Sequence, residues 1–249
     1  MKYIKYELLN TLGNFFSILF GVIMPTMMTL LFYFIFSKEL PAEAMGKFSI
    51  QIYVTNLLMA PLAVIFIGFA ALFSQEIEKE VTVRMSLFGY TEKKQMQMKF
   101  LAQAIVVTLS ILIYTMIVAP ILKLPLPSIF GFLVVAVSVC LLSFGLFIAA
   151  YGISLLMKKF GPTFGIVMTI YFAIMMLSGM MGVQYNQLPA PVQTIAKLLP
   201  TTHMIQDIPK LWTKNQYNLM PLMQSMLFLL AVCVLLYLWG IHSKKRRLG

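Results

Sequence analysis

The chain has 249 residues, of which 60% are hydrophobic and only 11% are charged, and its formal net charge is +11. Its mean hydropathy is +0.89. A soluble domain of this length needs a far more charged exterior. Composition therefore excludes a soluble globular protein. It predicts an integral membrane protein, since the Lys, Arg, Asp and Glu residues fall into short islands between long uncharged stretches.

Six of these stretches are long enough to cross a membrane. A hydrocarbon layer about 30 Å thick needs about 20 apolar residues in a helix. The stretches are unbroken rather than alternating, which favours helices over a barrel. The predicted fold class is all-α, with a single transmembrane domain over residues 1–249 and no nucleotide-binding domain. The predicted spans lie at about 16–36, 50–74, 100–121, 131–156, 162–183 and 219–241.

Lys and Arg residues are distributed unequally between the two sides of these spans. One side carries 13 of the 19, at both termini, in the 76–99 loop and at Lys158 and Lys159, and the other side carries the remaining six. Because cytoplasmic loops are rich in Lys and Arg, both termini are predicted to be cytoplasmic. Nucleic-acid binding explains the positive charge less well, because the basic residues are scattered and close to the membrane.

Catalytic and metal-binding motifs are missing from the sequence. Walker A, His-Glu-x-x-His and Gly-x-Ser-x-Gly patterns do not occur, so the chain is not expected to be an enzyme. The histidines, His203 and His242, lie far apart and the 20 methionines are scattered, which argues against a metal site. The six predicted spans also hold no Asp, Glu, Lys, Arg or His. Ion-coupled carriers usually keep such a group near the midplane. Energy for transport is therefore expected to come from another subunit.

Small residues and prolines indicate how the spans pack. The pairs Gly145–Ala149 and Gly161–Gly165 are predicted to bring helices together within the subunit. Pro25 and Pro61 lie inside the first and second spans and are predicted to distort them.

The longest loop on the predicted cytoplasmic side covers residues 75–99. Glu80 and Arg84 are spaced for an i,i+4 pair, which predicts that the second helix continues beyond the membrane. An apolar group in otherwise polar surroundings follows, and its members are Met85, Leu87 and Phe88.

Helix signals lie just after this apolar group. Gly89 suits the end of a helix, and Thr91 with Glu92 suits the cap and first turn of the next one. The pattern predicts a short helix across the cytoplasmic mouth of the bundle that fits a partner's groove. A solvated connector is the alternative.

Two parts of the chain resemble the ABC-2 type transporter permeases. Residues 75–100 are similar to the acidic and basic first cytoplasmic loop of that family. The second match has small residues, then Leu-Pro, then Leu-Pro-x-Thr before the last span. It consists of Ser178-Gly179-Met-Met-Gly182, Leu188-Pro189-Ala-Pro191, Leu199-Pro200-Thr201-Thr202, Asp207 and Leu211-Trp212. Six spans, cytoplasmic termini and the chain length match too, so the resemblance covers nearly the whole chain.

The resemblance implies the membrane subunit of an ATP-driven exporter, in the cytoplasmic membrane of a bacterium. A second permease subunit, identical or different, and two separate ATP-binding subunits would complete it. ATP and Mg²⁺ would bind in those partners, and no cofactor or nucleic acid is expected on this chain. A coupling helix at about Arg84–Phe88 and the segment before it would contact the ATPase subunit. The residues implied are Glu76, Glu78, Glu80, Arg84, Met85, Leu87 and Phe88.

The resemblance also implies an amphipathic interfacial helix over Met1–Asn14. Tyr3, Ile4, Leu8 and Leu9 would face lipid in this helix. A frayed cytoplasmic tail is the alternative.

A short re-entrant helical hairpin is predicted between the fifth and sixth spans, where it would form an outer gate. Glycines break the fifth helix, a proline begins a short helix, and a second proline ends it. Thr201 or Thr202 would then cap a second short helix. The gate residues are Gly179, Gly182, Pro189, Leu199 and Pro200. A surface loop anchored by Trp212 and Tyr217 is the alternative.

Uncharged spans rich in aromatic residues and Met favour a hydrophobic or amphipathic substrate, such as a drug, a peptide or a lipid. The resemblance places the first, second and fifth spans on the cleft of a permease dimer. Candidate residues along the substrate path are Phe32, Tyr33, Asn56, Phe164, Tyr171 and Phe172. Two other functions stay open. One is a non-transporting anchor, immunity or sensor subunit that docks a cytoplasmic partner, and the other is an ion-coupled carrier.

Overall fold

The computed structural model describes residues 2–182, 187–214 and 216–245, and every regular element within these ranges is a helix. Six helices are long and apolar enough to cross a membrane: α2 (Phe15–Phe36), α3 (Ala44–Glu78), α5 (Glu92–Ile121), α6 (Ile129–Met157), α7 (Phe160–Leu177) and α10 (Met220–Ser243). The described residues also form the shorter helices α1 (Lys2–Leu12), α4 (Val81–Leu87), α8 (Ala190–Ala196) and α9 (Pro200–Leu211). The predicted all-α class and the six predicted spans are confirmed.

Several helices begin and end at residues other than those predicted for the spans. α3 runs to Glu78 and α5 begins at Glu92, so both extend past their uncharged windows. α7 ends earlier than predicted, at Leu177, and Gly179 follows with a φ of 84°. Residue 183, the predicted end of the fifth span, lies outside the described residues. An uncharged window marks the part of a helix that suits hydrocarbon and does not fix the helix ends.

α3 is the central helix of the bundle. In its most apolar 18-residue window 94% of the residues are buried, compared with 17% for α2. In a membrane, lipid could cover an apolar helix, so burial by protein on every side marks α3 as the helix on which the others pack. α2, α5, α6 and α7 all pack against α3 and cover it. The residues of α3 that are 0% exposed are Leu58, Leu62, Ala63, Val64, Ile65, Ala70 and Ser74.

A π-helical segment lies beside each proline that was predicted to distort a span. Leu19–Ile23 precedes Pro25 in α2, and Leu62–Phe69 follows Pro61 in α3. Proline has no N–H to donate and its ring displaces the preceding turn, so the regular hydrogen-bond ladder is interrupted there. In α3 this irregular backbone is buried among the other helices, where it is sheltered from lipid.

The fourth and sixth spans, α6 and α10, approach each other at a pair of glycines. A Cβ atom on Gly152 would lie 2.8 Å from the carbonyl carbon of Leu236, and one on Gly240 would lie 2.8 Å from the carbonyl oxygen of Gly152. Gly145 also packs against α10, as predicted. The predicted packing of Gly161 and Gly165 within the subunit is wrong, because no atom lies within 4 Å of a Cβ built on either residue.

Contacts divide the connecting segments between the two ends of the bundle. At one end of the bundle, α1, the loop that contains α4 and the start of α7 lie together. The ring of Tyr3 in α1 stacks on Tyr90, just after α4, with 4.7 Å between the ring centroids. The Phe160 N–H at the start of α7 donates to the Glu78 carboxylate at the end of α3, at 2.8 Å. At the other end the Trp212 Nε1–H donates to the Pro125 carbonyl oxygen at 2.8 Å, which joins α9 to the α5–α6 loop. This grouping is the one that the predicted topology requires. The cytoplasmic placement of the first end stays a prediction.

Adding one methyl group at Gly152 should destabilise the protein. Gly152→Ala forces α6 and α10 apart because the new Cβ meets backbone atoms that cannot move aside, and such overpacking costs about 1–3 kcal/mol. Gly165→Ala is the matched control, since it adds the same methyl group to a helix facing open space. Unfolding of the purified protein in detergent measures both variants. Equal stability of the two variants would contradict this packing.

Candidate functional site

α4 is a short helix between the second and third spans. It covers Val81–Leu87, its C-cap is Phe88, and Gly89 follows with a φ of 84°. α5 begins after Thr91, whose side chain accepts a hydrogen bond from the Lys94 N–H. The predicted short helix is therefore present, with the predicted Gly89 after its end and the predicted Thr91 cap at the start of α5, and α4 begins three residues before the predicted Arg84.

The second helix continues past its uncharged window as predicted, but the Glu80–Arg84 pair on which that prediction rested is not formed. α3 ends at Glu78, and Glu80 adopts a left-handed conformation with a φ of 55°. The Arg84 guanidinium donates to the carbonyl oxygen of Lys79 at 2.6 Å instead of pairing with Glu80. The i,i+4 spacing is uninformative here because Glu80 lies at the break between two helices.

Exposed apolar side chains project from the end of α4. Leu87 is 83% exposed, Phe88 is 79% exposed and Val83 is 58% exposed. Charged residues flank this loop on both sides, as expected for a segment in water rather than in lipid. Burying such side chains against a partner releases roughly 25 cal/mol per Å² of apolar surface. α4 therefore presents a compact hydrophobic surface that suits protein docking.

Gln95 holds α4 in place. This residue is 1% exposed, and its side-chain Nε2 lies 2.7 Å from the Tyr90 carbonyl oxygen, 3.1 Å from the Thr82 carbonyl oxygen and 3.2 Å from the Ser86 Oγ. A cavity of about 190 Å³ lies between α4 and the bundle. The sequence pattern does not reveal this role, since a lone glutamine in a polar first turn carries no signal for burial.

Glu78, another predicted coupling residue, joins the same loop to the fifth span. Its carboxylate accepts a hydrogen bond from the Phe160 N–H, at the first turn of α7. A carboxylate is favourable at a helix N-terminus because the free N–H groups there carry partial positive charge. α4 is thereby connected to three spans through α3, α5 and α7.

A buried charged cluster lies at the same end of the bundle and consists of Glu7, Glu76 and Lys99. The Lys99 Nζ is 2.8 Å from Glu7 Oε1 and 2.7 Å from Glu76 Oε2. Asn10 donates to Glu76 at 3.3 Å. All three charged residues are less than 9% exposed. The cluster joins α1, α3 and α5, and it satisfies charges that would be costly if unpaired.

Three interpretations of the sequence change at this end of the bundle. Glu76 was placed with the residues that contact the ATPase subunit, but at 8% exposed it faces the bundle. The predicted windows are free of charge, yet Glu76 and Lys99 lie just beyond them in α3 and α5. The lipid-facing surface predicted for the N-terminal helix is wrong for Tyr3, which is 7% exposed, whereas Leu9 is 61% exposed.

Removing the ammonium group of the cluster should destabilise the protein strongly. Lys99→Met leaves the Glu7 and Glu76 carboxylates buried without a counter-charge, and breaking a buried pair in this way costs about 3–5 kcal/mol. Lys94→Met is the matched control, because Lys94 is exposed. Unfolding in detergent gives the free energies.

Glu7→Gln should cost less than Lys99→Met, since Lys99 keeps Glu76 as its partner. If Lys99→Met is as stable as Lys94→Met, the cluster is not a stabilising element.

The structure does not bring the predicted substrate-path residues into one wall. Asn56 is 6% exposed, and its side chain donates to the Ile52 carbonyl oxygen of its own helix at 3.0 Å. Tyr171 is buried and its neighbour Phe172 is 48% exposed. The remaining members are exposed or half-buried, namely Phe32, Tyr33 and Phe164. Because α3 is covered by this chain's own helices, it leaves little surface for a dimer cleft.

The segment between the fifth and sixth spans contains the two predicted short helices, α8 and α9. Gly179 and Gly182 have positive φ angles, of 84° and 90°, after the end of α7. Pro189 is the N-cap of α8. The predicted threonine cap of the second helix is wrong: Pro200 is its first residue and Leu199 is its N-cap.

The threonines instead face the bundle. Thr201 and Thr202 are both buried, and the Thr201 hydroxyl makes a hydrogen bond with the Ser178 hydroxyl at the end of α7. α9 also packs against α3, α6 and α10. The re-entrant position and the gate role of this segment stay predictions.

A polar network fixes α9 at its exposed side. Asp207 Oδ1 accepts hydrogen bonds from the Tyr217 hydroxyl at 2.9 Å and from the Lys210 ammonium at 3.3 Å. The His203 Nε2 lies 2.9 Å from the Lys197 carbonyl oxygen, and its Nδ1 lies 3.5 Å from Asp207 Oδ2. Both ring nitrogens face acceptors, so only the protonated ring can donate to both.

The protonation state of His203 follows from these contacts. The hydrogen bond to Asp207 raises the pKa of His203, and burial opposes this shift. Burial alone would raise the pKa of Asp207, but the hydrogen bonds from His203 and Tyr217 and the nearby Lys210 hold it below its usual value. Charged His203 and charged Asp207 therefore stabilise each other at mildly acidic pH.

Protein stability should fall as the pH rises from about 6 to about 8. A histidine pKa raised by folding contributes stability that is complete below its unfolded value of about 6.5 and is lost as pH passes the folded value. The pair is partly exposed, so the loss should stay below about 1 kcal/mol. His203→Gln should remove this dependence, and His242→Gln, at an exposed site on α10, should keep it. Thermal unfolding across this pH range measures the slopes, and equal slopes for both variants would contradict the assignment.

The described residues define a multi-pass membrane protein with six candidate spans and a short helix, α4, that exposes apolar side chains at one end. The family model of the ABC-2 type transporter matches residues 2–210. The chain therefore belongs to the ABC-2 type transporter family, and the resemblance seen in its sequence is confirmed. It is a permease subunit and not an ATPase, and permeases of this family generally work with an ATP-binding subunit. Comparisons with curated proteins and with solved structures give no match.

Proposed function

We propose that this chain is the membrane half of an exporter that moves a hydrophobic or amphipathic substrate out of the cytoplasm. A separate ATP-binding subunit docks on α4 and supplies the energy. The exposed apolar end of α4, Leu87 with Phe88, is the observation that carries this proposal. Such side chains on a charged, water-exposed loop need a partner to cover them.

The attachments of α4 support a role in force transmission. Gln95 connects α4 to α5, Glu78 connects the loop to α7, and the chain itself connects α4 to α3. A displacement of α4 by a docked partner would therefore move three spans together. Short, rigid connections of this kind are what mechanical coupling between two proteins requires.

A second permease subunit is part of the proposal. α2 and α7 bury only 17% and 22% of the residues in their most apolar windows. Gly161 and Gly165 of α7 have open space in front of them, which permits another helix to approach closely. These two spans form the proposed face toward the partner permease, and a substrate path between two subunits would then run along that face. α3 would support the path from behind.

A cavity at the other end of the bundle supports one kind of substrate. A cavity of about 890 Å³ lies between the start of α3, the end of α7 and α9, and it is lined by Lys47, Lys210 and Lys214. This positive lining favours an amphiphile that carries a negative group. The proposed cargo is therefore amphipathic, with an apolar part compatible with the uncharged spans.

Replacing the exposed apolar residues of α4 should uncouple the two subunits without unfolding the permease. Leu87→Ser and Phe88→Ser should each weaken binding of the ATP-binding subunit that copurifies with the tagged parent chain by about tenfold or more. Central apolar contacts of an interface are worth about 2 kcal/mol or more, and 1.4 kcal/mol is a factor of ten. The permease-dependent part of ATP hydrolysis should fall in parallel in reconstituted vesicles.

Leu126→Ser is the matched control. Leu126 is 91% exposed, but it lies in the loop between α5 and α6 at the opposite end of the bundle. Its replacement should leave binding and ATP hydrolysis unchanged. If Leu87→Ser and Phe88→Ser bind the ATPase as tightly as Leu126→Ser does, α4 is not the docking site. Intact binding without ATP-dependent movement of any amphiphile would instead favour a non-transporting anchor.

A further inference from the structure

A wide groove opens at the α4 end of the bundle, between α5 on one side and α6 and α10 on the other. Its volume is about 970 Å³, which is the size of a site for one large organic ligand. It contains none of the predicted substrate-path residues and none of the predicted coupling residues. Nothing in the proposed export mechanism accounts for it.

The groove exists because consecutive helices pack against different neighbours. α5 packs against α1, α2 and α3, whereas α6 pairs with α10 through Gly152 and Gly240. Across the space between them Phe100 of α5 makes edge contacts with Phe144 and Phe147 of α6, at 5.7 Å and 5.1 Å between ring centroids. The groove is therefore a consequence of the fold and not of a loose side chain.

An aromatic wall forms the inner side of the groove, and α3 holds it from behind. Phe147 stacks on Phe69 at 4.4 Å, and Tyr151 stacks on Phe73 at 5.1 Å. Phe69 and Phe73 are at most 3% exposed, so these two rings cannot move aside. A wall fixed in this way offers a preformed apolar surface, which lowers the entropic cost of binding a flexible chain.

The polar residues of the groove are concentrated at one end. Glu92, Lys93 and Gln97 lie at that end, in the first turns of α5, and the rest of the lining is apolar or aromatic apart from the tyrosine hydroxyls. At this end the Glu92 carboxylate is engaged by Tyr151 of the groove wall, which donates to it at 3.4 Å, whereas the Lys93 ammonium group is exposed. An apolar trough with such an ammonium group at its mouth is complementary to an amphiphile with a negative headgroup.

The depth of the groove limits its occupant to one leaflet. It follows α5 from Glu92 to Phe100 and α10 from Val234 to Ile241. At 1.5 Å per residue, each stretch covers about 10–12 Å along the helix. That is less than half of a hydrocarbon layer about 30 Å thick, so the groove does not form a path across the membrane.

We propose that the groove binds one glycerophospholipid of the leaflet on the α4 side. Its phosphate lies at Lys93, and an acyl chain lies along Phe100, Phe147 and Tyr151. Lys and Arg residues predominate at this end of the chain, which favours an anionic headgroup there. This binding site does not depend on the proposed export function, because it lies on helices away from the proposed face toward the partner permease.

Native mass spectrometry of the purified full-length chain tests the site. The protein is delipidated in detergent and titrated with 1-palmitoyl-2-oleoyl phosphatidylglycerol, and the parent chain should retain one lipid in preference to further ones. Val234→Trp places a bulky ring in the groove at a position that is 42% exposed. It should abolish the preferred binding event. Val232→Trp, on the same helix but outside the groove lining, should leave it unchanged.

A second pair of variants tests the phosphate contact. Lys93→Glu should weaken phosphatidylglycerol binding by about tenfold, as expected for loss of one charge-assisted contact. Lys94→Glu makes the same change at the next residue, whose ammonium group lies over the Tyr90 ring instead of in the groove. It should have an effect of less than about twofold. 1-Palmitoyl-2-oleoylglycerol, which has no phosphate, should bind the parent about tenfold more weakly.

Three results would overturn the proposal. The first is equal lipid binding by Val234→Trp and Val232→Trp, which would show that the lipid sits elsewhere on the surface. The second is equal binding by Lys93→Glu and Lys94→Glu. The third is a parent chain that binds the phosphate-free lipid as tightly as phosphatidylglycerol. Thermal unfolding of all four variants confirms that each is folded before binding is compared.

Discussion

The burial of the apolar central part of α3 is the constraint on which the remaining structure depends. The central part of α3 is apolar on every face, and other helices cover it on all sides. Lipid would accept such a helix on any side, and burial by protein therefore requires close packing rather than a hydrophobic driving force alone. The stacked rings of Phe69 and Phe73 against α6 show how this packing is made. Placing α3 in the centre leaves the outer faces of α2, α5, α7 and α10 for lipid and for partners.

A buried charged cluster at one end of the bundle also determines how the helices are placed relative to one another. Glu76 at the end of α3 and Lys99 near the start of α5 are buried together with Glu7 of α1. An unpaired charge here would be costly, so the cluster fixes the positions of three helices relative to one another. The loop that carries α4 begins only a few residues after Glu76 and ends before Lys99. A force that a docked partner applies to α4 would therefore act on helices that the charged cluster holds in fixed positions.

Sequence patterns predict the spans, the end of α4 and the start of α5, because hydrocarbon length, Gly89 and Thr91 are local signals. They fail where the deciding contact is distant in sequence. Glu76 is assigned to docking because it belongs to an acidic run, and its burial depends on Lys99 and Glu7, which only the folded bundle brings together. Gln95 is overlooked for the same reason. Pro200 is taken as the end of one short helix although it is the first residue of another, since proline suits both positions.

The first turns of α5 serve two surfaces at once. Gln95 points toward α4 and is buried beneath it, whereas Lys93, Gln97 and Phe100 line the groove on the other side of the helix. Successive residues of a helix point in different directions, so one short segment can contact both surfaces without conflict. A shift of α5 relative to α6 that accompanies docking at α4 would change the width of the groove, because the groove lies between these two helices. By linkage, an occupant that prefers one width of the groove would favour one position of α4. The proposed lipid site and the proposed docking site are thus coupled through a single rigid helix.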